Sequence, residues 1–539
     1  MKFLFIILSA LSLSGVWDFR FEEGLSIEQT PREAFVANDV MCVPGCWDAM
    51  PGYYLKRGTG LYRKTFTVEK AYRNAVLEVD GMGLRGVFSI DGRDLGEYPY
   101  PYAKLEIPVG PLAKGEHEIF AALDNRFDWQ TMKLARPYYD FYFYGGFYRG
   151  IRIVEKEPKI FVRTLDYRTG LIEVEIEGGR KYTQNVKDFK LWSPEEPNLT
   201  TIDVDGRKVR FGIRQIEARD GKLYLNGEQI FLKGVNRHDQ TPLFGAAVPQ
   251  SQWVMDIRNL KAMGGNFIRG AHYQQADGFL ELCDEMGVLV WEESLGWGNG
   301  QSYTEIKGEN ELTDETFRAQ QIKETRDMVR ASFNHPSVII YAFLNECGSY
   351  REECKSLVDE LIDTIRAENS GRLISFACNS LKPDICNENT DIVAFNAYPG
   401  TIPMVPDSPD ELKQKVEESF NSAVSMFRSR YPDKPIMISE SGVGAVYGWH
   451  DAGASISSEE FQEEYLTDIF ETLWSNPDVS GFAIWQMNDN RTYSRTSKGQ
   501  SGKVFLGHSI AGIFSLDRKP KKSVETVRKF FATTPESMK

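Results

Sequence analysis

The chain has 539 residues, too many for one ordinary domain and enough for about three. Hydrophobic residues make up 42% of it and charged residues 26%, the balance of a soluble globular protein with a sizeable core. A formal net charge of −14 argues against nucleic acid or an anionic membrane surface as partner and leaves uncharged glycans open, for which an aromatic content of 12% is suggestive.

At the N-terminus Lys2 precedes the apolar run Phe3–Leu8, which reads as a short export signal rather than a membrane anchor. That points to a secreted or periplasmic protein. A cytoplasmic one follows if the run is not a signal, because Leu13-Ser14-Gly15-Val16-Trp17-Asp18-Phe19 already has the pattern of a first strand. No other apolar run approaches membrane length. The seven cysteines form no disulfide framework, and Cys42 and Cys46, with no second pair at zinc-finger spacing, read as ordinary thiols.

Residues 14–156 are short β-type runs punctuated by glycine and proline, such as Tyr62–Val68, Ala75–Val79 and Gly86–Ile90 before the hairpin signal Asp91-Gly92. This pattern predicts a β-sandwich of jelly-roll type. Residues 157–218 stay β-like, with clean alternation in Leu171–Ile176, but are too few for a full immunoglobulin-like sandwich, so a truncated one is expected. From about 219 to 535 apolar runs alternate with amphipathic helical stretches. The β runs are Ile230–Val235, Asn266–Arg269, Val288–Trp291, Val338–Leu344, Leu373–Phe376, Ile392–Asn396, Pro435–Ser439 and Gly481–Trp485. Helical stretches include Ser251–Met263, Thr316–Ser332, Arg351–Glu368, Asp410–Arg430 and Glu459–Trp474. Eight such runs separated by helices predict a closed (β/α)₈ TIM barrel.

Function in such a barrel gathers where the strands end. The runs here finish in Asn236-Arg237-His238, in Arg269 with His272 and Tyr273, in Glu292-Glu293, Asn345-Glu346, Asn396 with Tyr398, Glu440, and Trp485. Glu346 and Glu440 follow very apolar runs on the fourth and seventh strands, which lie across the mouth from each other. Glycoside hydrolysis needs two carboxyl groups, one to protonate the leaving oxygen and one to attack or to activate water. Either glutamate alone could be a salt-bridged rim residue; the pair argues for catalysis.

Together these segments resemble family 2 of the glycoside hydrolases, the family of β-galactosidases, β-glucuronidases and β-mannosidases. The similarity rests on Phe231–His238, Asn266–Tyr273, His335–Ile340 running into Leu344-Asn345-Glu346, Ile438–Gly442 and Asp517–Lys521, and in the N-terminal region on Val43–Trp47 and Tyr62–Phe66. The resemblance implies a retaining exo-β-glycosidase with Glu346 as general acid/base and Glu440 as nucleophile. It implies that Asn345 contacts the 2-hydroxyl, that Arg269 and Tyr398 keep Glu440 ionised and oriented, and that Trp485 is a platform under the sugar. His272 and His238 would be sugar ligands, and Asp140 would reach from the sandwich to hold the terminal sugar. The expected partner is thus a carbohydrate with a terminal β-linked sugar, and a homo-oligomer is left open.

Two departures bear on specificity. Magnesium-dependent β-galactosidases place a carboxylate and a histidine shortly after the third strand; here the stretch is Ser294-Leu295-Gly296-Trp297-Gly298, so neither a catalytic metal nor another cofactor is expected. The Asn-x-Lys motif with which β-glucuronidases grip the uronate is replaced by Ser509-Ile510-Ala511. Arg491, Arg495, Lys498 and Lys503 could bind a carboxylate differently, or form a solvated basic loop. β-Galacturonidase and β-mannosidase specificity remain alternatives, as does, from another class, a catalytically silent carbohydrate-binding protein, to which both glutamates would be superfluous.

Overall fold

A computed structural model describes residues 10–27, 35–302, 304, 310–379, 384–400, 408–492, 504–505 and 507–539. The export reading of residues 2–8 lies outside them, as do Arg495, Lys498 and Lys503. Among the described residues no helix is long and apolar enough to cross a membrane. The chain divides into two compact units, residues 1–159 with 240–249 and residues 160–239 with 250–539.

The first unit is a two-sheet antiparallel sandwich. One sheet has six strands in the order Asp39–Val43, Gly15–Glu22, Thr59–Val68, Gly115–Asp124, Arg85–Ile90 and Arg93–Tyr98. The other has four, in the order Leu11–Ser12, Ile151–Glu155, Tyr72–Val79 and Leu105–Leu112. Strand alternation makes the core: Leu105, Ile107 and Val109 point inward from one sheet and meet Trp17, Tyr62 and Phe88 of the other. The Asp91-Gly92 hairpin is present, both residues having positive φ (51° and 75°) as a two-residue turn of the I′ kind requires. All seven cysteines are free thiols, Cys42 exposed and Cys46 buried.

In the second unit residues 160–211 form a three-stranded and a two-stranded antiparallel sheet around their own apolar cluster, which includes Ile172, Val174, Val209 and Phe211. This small β region compacts with the barrel into one unit rather than standing apart. Asn334 bonds both Val162 N (2.8 Å) and Ile160 O (2.7 Å), and the Trp192 indole donates to Asp284 O at 2.8 Å. A meander follows, Ile216–Arg219, Lys222–Leu225 and Glu228–Ile230, so Ile230 belongs to it and not to the barrel. Its Ile216, Leu223 and Leu225 pack against Leu232, Phe267 and Leu289, residues at the start of barrel strands, and so plug the end opposite the expected site.

The barrel has eight parallel strands: β1 (Leu232–Asn236), β2 (Phe267–Arg269), β3 (Leu289–Glu293), β4 (Val338–Ala342), β5 (Leu373–Ser375, continued by Ala377–Cys378), β6 (Val393–Asn396), β7 (Ile436–Ser441) and β8 (Val479–Ile484). β8 pairs with β1, and the two halves of β5 pair with β4 and β6, which closes the ring. The helices are α1 (Gln250–Ala262), α2 (Asp277–Met286), α3 (Glu315–Ser332), α4 (Glu352–Ala367), α5 (Pro409–Arg430), α6 (Glu459–Trp474) and α7 (Ser523–Phe531). Being covered on both faces, the strands read as nearly unbroken apolar runs. Gly442, just past β7, allows the closest approach: a Cβ there would lie 2.0 Å from Trp485 O.

Candidate active site

The carboxyl-terminal ends of the strands bring the expected residues together around one guanidinium. Arg269, the last residue of β2, is fully buried and donates to Glu440 Oε1 at 2.5 Å, to Glu293 Oε2 at 2.8 Å, to Asn345 Oδ1 at 2.8 Å and to Asn236 Oδ1 at 3.1 Å. Burial alone would ease its proton off, but the Glu293 and Glu440 carboxylates outweigh that and hold its pKa above the usual range. Glu293 is opposed in the same way. Burial favours its neutral form, yet Arg269 and His272 keep its pKa below the ordinary carboxylate value. The second oxygen of Glu440 accepts from the Tyr398 hydroxyl at 2.7 Å. The nucleophile expected from the sequence is thereby held at both oxygens by charge-assisted bonds.

Glu346 sits differently. β4 ends at Ala342, and the chain reaches Glu346 through Leu344 and Glu346 itself at φ 48° and 52°, a region bulky residues seldom adopt. The surrounding backbone holds it there: Asn345 N donates to Gly296 O (3.0 Å), Gly298 N to Asn345 O (2.8 Å) and Glu346 N to Ala377 O (2.8 Å). Its carboxylate accepts from Asn396 Nδ2 at 2.9 Å on Oε1 and from Asn379 Nδ2 at 3.3 Å on Oε2. Asn345 links the two carboxylates, its Oδ1 accepting from both Arg269 and Asn396 (3.1 Å). That leaves Asn345 Nδ2 buried with no hydrogen-bond partner, a donor available to a sugar hydroxyl.

Rings form one wall. His272 stacks on Trp485 with centroids 5.4 Å apart and planes at 13°, and His238 meets both edge-on at 5.6 and 5.4 Å. His272 Nδ1 lies 3.0 Å from Glu293 Oε1 and 3.2 Å from Arg269 Nη2, and its Nε2 lies 3.8 Å from Glu440 Oε1. Burial, with His272 and two arginines nearby, pushes the His238 pKa well below its usual value, so it is neutral. Trp485 packs on Ala271, Tyr398 and Ala511, the last at the position where the Asn-x-Lys lysine would stand.

Of the sequence candidates, Glu346, Glu440, Asn345, Arg269, Tyr398, His272, His238 and Trp485 therefore occupy one neighbourhood. Asp140 lies in the first unit, half-buried between the fully buried Tyr139 and Phe141. Glu293, Asn236 and Asn396 were visible only as polar strand ends, with no role attached. Asn379 and Gln301 gave no signal, being single amides in loops. The Asp517–Lys521 motif also gains a physical meaning: the Lys521 ammonium is buried and bonds Asp489 Oδ1 (2.8 Å) and the carbonyls of Ala445 (2.7 Å) and Ile510 (2.9 Å), tying together the loops after β7 and β8.

A barrel whose mouth sets two carboxylates about a shared donor network is the architecture of a glycoside hydrolase. Comparison with known proteins agrees. The family model for the TIM barrel domain of glycosyl hydrolases family 2 matches residues 216–534. The chain is 23% identical to a beta-glucuronidase of Streptococcus agalactiae, over 97% of this chain and 96% of that protein. It is 26% identical, at a TM-score of 0.81 and over 97% of both chains, to the GH2 beta-galacturonidase from Eisenbergiella tayi bound to galacturonate. A Ruminococcus gnavus β-glucuronidase in complex with uronic isofagomine shares the fold at a TM-score of 0.87 and 20% identity, over 97% of both chains. The chain belongs to glycoside hydrolase family 2. It is an exo-β-glycosidase.

Proposed function

We propose that the enzyme is a retaining β-hexuronidase that removes a terminal β-linked uronic acid, with Glu440 as nucleophile and Glu346 as general acid/base. The observation that carries the assignment is the contrast in what holds the two carboxylates: a guanidinium and a phenol on Glu440, neutral amides on Glu346. A nucleophile must stay ionised throughout, whereas an acid/base must change its protonation twice per turnover. In the first step a Glu440 oxygen bonds to the anomeric carbon as the glycosidic bond breaks, and the leaving oxygen takes the proton of Glu346. In the second, Glu346 takes a proton from water, whose oxygen attacks the same carbon and releases Glu440. Asn345 Nδ2 serves the 2-hydroxyl, His272 and His238 other hydroxyls, and Trp485 the ring face.

The uronide reading is supported by the relatives and by Arg491 beyond β8. Arg491, buried on the short strand Asn490–Arg491, pairs in register with His508 of the neighbouring strand His508–Ser509. That sheet is anchored next to Trp485, since Gln486 Nε2 donates to Asn490 Oδ1 (2.6 Å) and Ser509 Oγ (3.1 Å). A neutral β-galactoside is the second reading, favoured by Ser509 and Ala511 where glucuronidases carry Asn-x-Lys. Initial rates on chromogenic β-glucuronide, galacturonide, galactoside and mannoside decide between them. The uronides should dominate, the first product seen by NMR should be the β-anomer, and EDTA should leave the rates unchanged. Preference for the galactoside would overturn the uronide reading, and an α-anomer first product the retaining mechanism.

A further inference from the structure

We propose that Asn379, oriented by Gln301, is a positioning residue for the acid/base, holding one oxygen of Glu346 while Asn396 holds the other. The inference rests on the role given to Glu346 above and goes beyond it to what controls that residue.

Asn379 follows directly on Ala377–Cys378, the second half of β5, the one strand whose end offered no polar group in the sequence. Its Nδ2 lies 3.3 Å from Glu346 Oε2. Which end of an amide faces a carboxylate is decided by what binds the other end. Here Asn379 Oδ1 accepts from Gln301 Nε2 at 3.0 Å, so the donor end is the one turned to Glu346. The same Gln301 amide reaches the carbonyls of Glu346 (3.2 Å) and Cys347 (2.8 Å), at the segment where Glu346 has positive φ. Gln301 is itself buried, and its backbone N–H donates to Gly298 O at 3.1 Å. On the other side Asn396 is fixed by the same logic: Ser439 Oγ donates to its Oδ1 at 2.7 Å, and its Nδ2 faces Glu346 Oε1. Each oxygen of Glu346 thus has one amide donor, and each amide has its own orienting group.

The arrangement suits a group that changes protonation. N–H donors favour a carboxylate without adding a fixed cation, and fixing both oxygens removes the rotamer freedom of a long side chain. The charged and titratable groups in the same hydrogen-bonded set include Arg269 on β2, His272 after it, Glu293 on β3, Tyr398 after β6 and Glu440 on β7. Arg269 reaches Glu346 through Asn345 and Asn396, while Cys347 and Cys378 flank the segment in sequence. Asn379 and Asn396 are therefore direct hydrogen-bond donors to its carboxylate.

The test is the pH profile of kcat/KM, whose alkaline limb reports the acid in the free enzyme. N379D keeps the shape of the side chain and an acceptor for Gln301, but replaces the donor to Glu346 with a negative charge. The alkaline limb should move up by about one pH unit, as expected for a carboxyl gaining a like-charged neighbour. N379L, which removes the donor without adding charge, should move it in the same direction by less, and Q301L by less again. A residue that merely fastens the end of β5 would lower kcat/KM equally at every pH and leave the limb in place. An unmoved limb in both N379D and N379L, each with an unchanged melting midpoint, overturns the proposal; if N379D does not fold, N379L alone decides it. E346Q in the same series separates this inference from the one beneath it. Should E346Q keep the wild-type alkaline limb, the assignment of Glu346 as acid is wrong; should E346Q lose the limb while the Asn379 variants leave it unmoved, only the positioning role fails.

Discussion

The two carboxylates at the barrel mouth are built by different means. Around Glu440 the protein concentrates charge: Arg269 is shared with Glu293, Glu293 orients His272, and Tyr398 closes the far oxygen. Around Glu346 it places the amides of Asn396 and Asn379 and a backbone bent through positive φ. Both groups lie at the mouth, Glu440 buried and Glu346 half-buried, and exposure alone does not assign their roles. The partners decide. A guanidinium favours the charged form of a carboxylate through its own charge, while amides orient a carboxyl group without adding a fixed cation. Neutralising one partner on each side should therefore give different symptoms.

The largest effect belongs to the nucleophile. Glu440→Gln should reduce hydrolysis below detection for every leaving group, because no neighbouring group can take over the attacking oxygen; burst kinetics with dinitrophenyl glycosides should show no glycosyl-enzyme. Glu346→Gln should behave otherwise. For ordinary aryl glycosides the loss should be about 10²–10⁴-fold, whereas dinitrophenyl substrates should still glycosylate Glu440, and azide, which needs no base, should restore turnover as the β-glycosyl azide. Identical responses of the two variants, or azide rescue of Glu440→Gln, would break the comparison. Tyr398→Phe sharpens it at smaller scale. Losing one hydrogen bond to a charged group is worth about 1.5–3 kcal/mol, so kcat should fall about 10- to 100-fold, with the alkaline limb of the pH profile in place because Glu346 is untouched.

Much of this was legible in the sequence, and the reasons are particular. The eight barrel strands could be read because strands buried on both faces are apolar runs, and all eight lie within two or three residues of their expected limits. Ile230 was misread because the meander and β1 are both β-like, with only Phe231 between them. Helices α2 and α7 carry weak start signals, since neither has a side-chain cap bond. Site residues at strand ends stood out by contrast with the runs before them. Asn379 and Gln301 did not, because a lone amide has no periodicity and their partner Glu346 is 33 and 45 residues away along the chain.

The smallest effect concerns stability and compares two neighbours on β3. Successive strand residues face opposite ways. Glu293 points into the mouth and is held ionised by Arg269, whereas Glu292 lies fully buried near Ser332, His335, Asp277 and the Gln275 backbone, without a cation as close as Arg269 is to Glu293. Burial pushes the Glu292 pKa up to about 7 from an ordinary 4.5, with the Ser332 hydroxyl and His335 opposing only in part. The folded state therefore keeps a proton that the unfolded state gives up between these two values. Where the folded state binds more protons, stability falls as pH rises, and it levels off above the folded pKa. One pKa unit corresponds to about 1.4 kcal/mol, so this group alone should remove on the order of 2–3 kcal/mol of stability between about pH 4.5 and 8. Glu292→Gln keeps the shape and cannot ionise. Denaturant unfolding at pH 5 and pH 8 should show a smaller loss between the two for the variant than for the wild type. Glu324, buried on α3 with a pKa raised to about 8, loses stability with the same sign in both proteins and cancels in the difference. Equal losses would mean that Glu292 carries its charge despite its burial, and that β3 does not separate the fates of its two glutamates as the structure indicates.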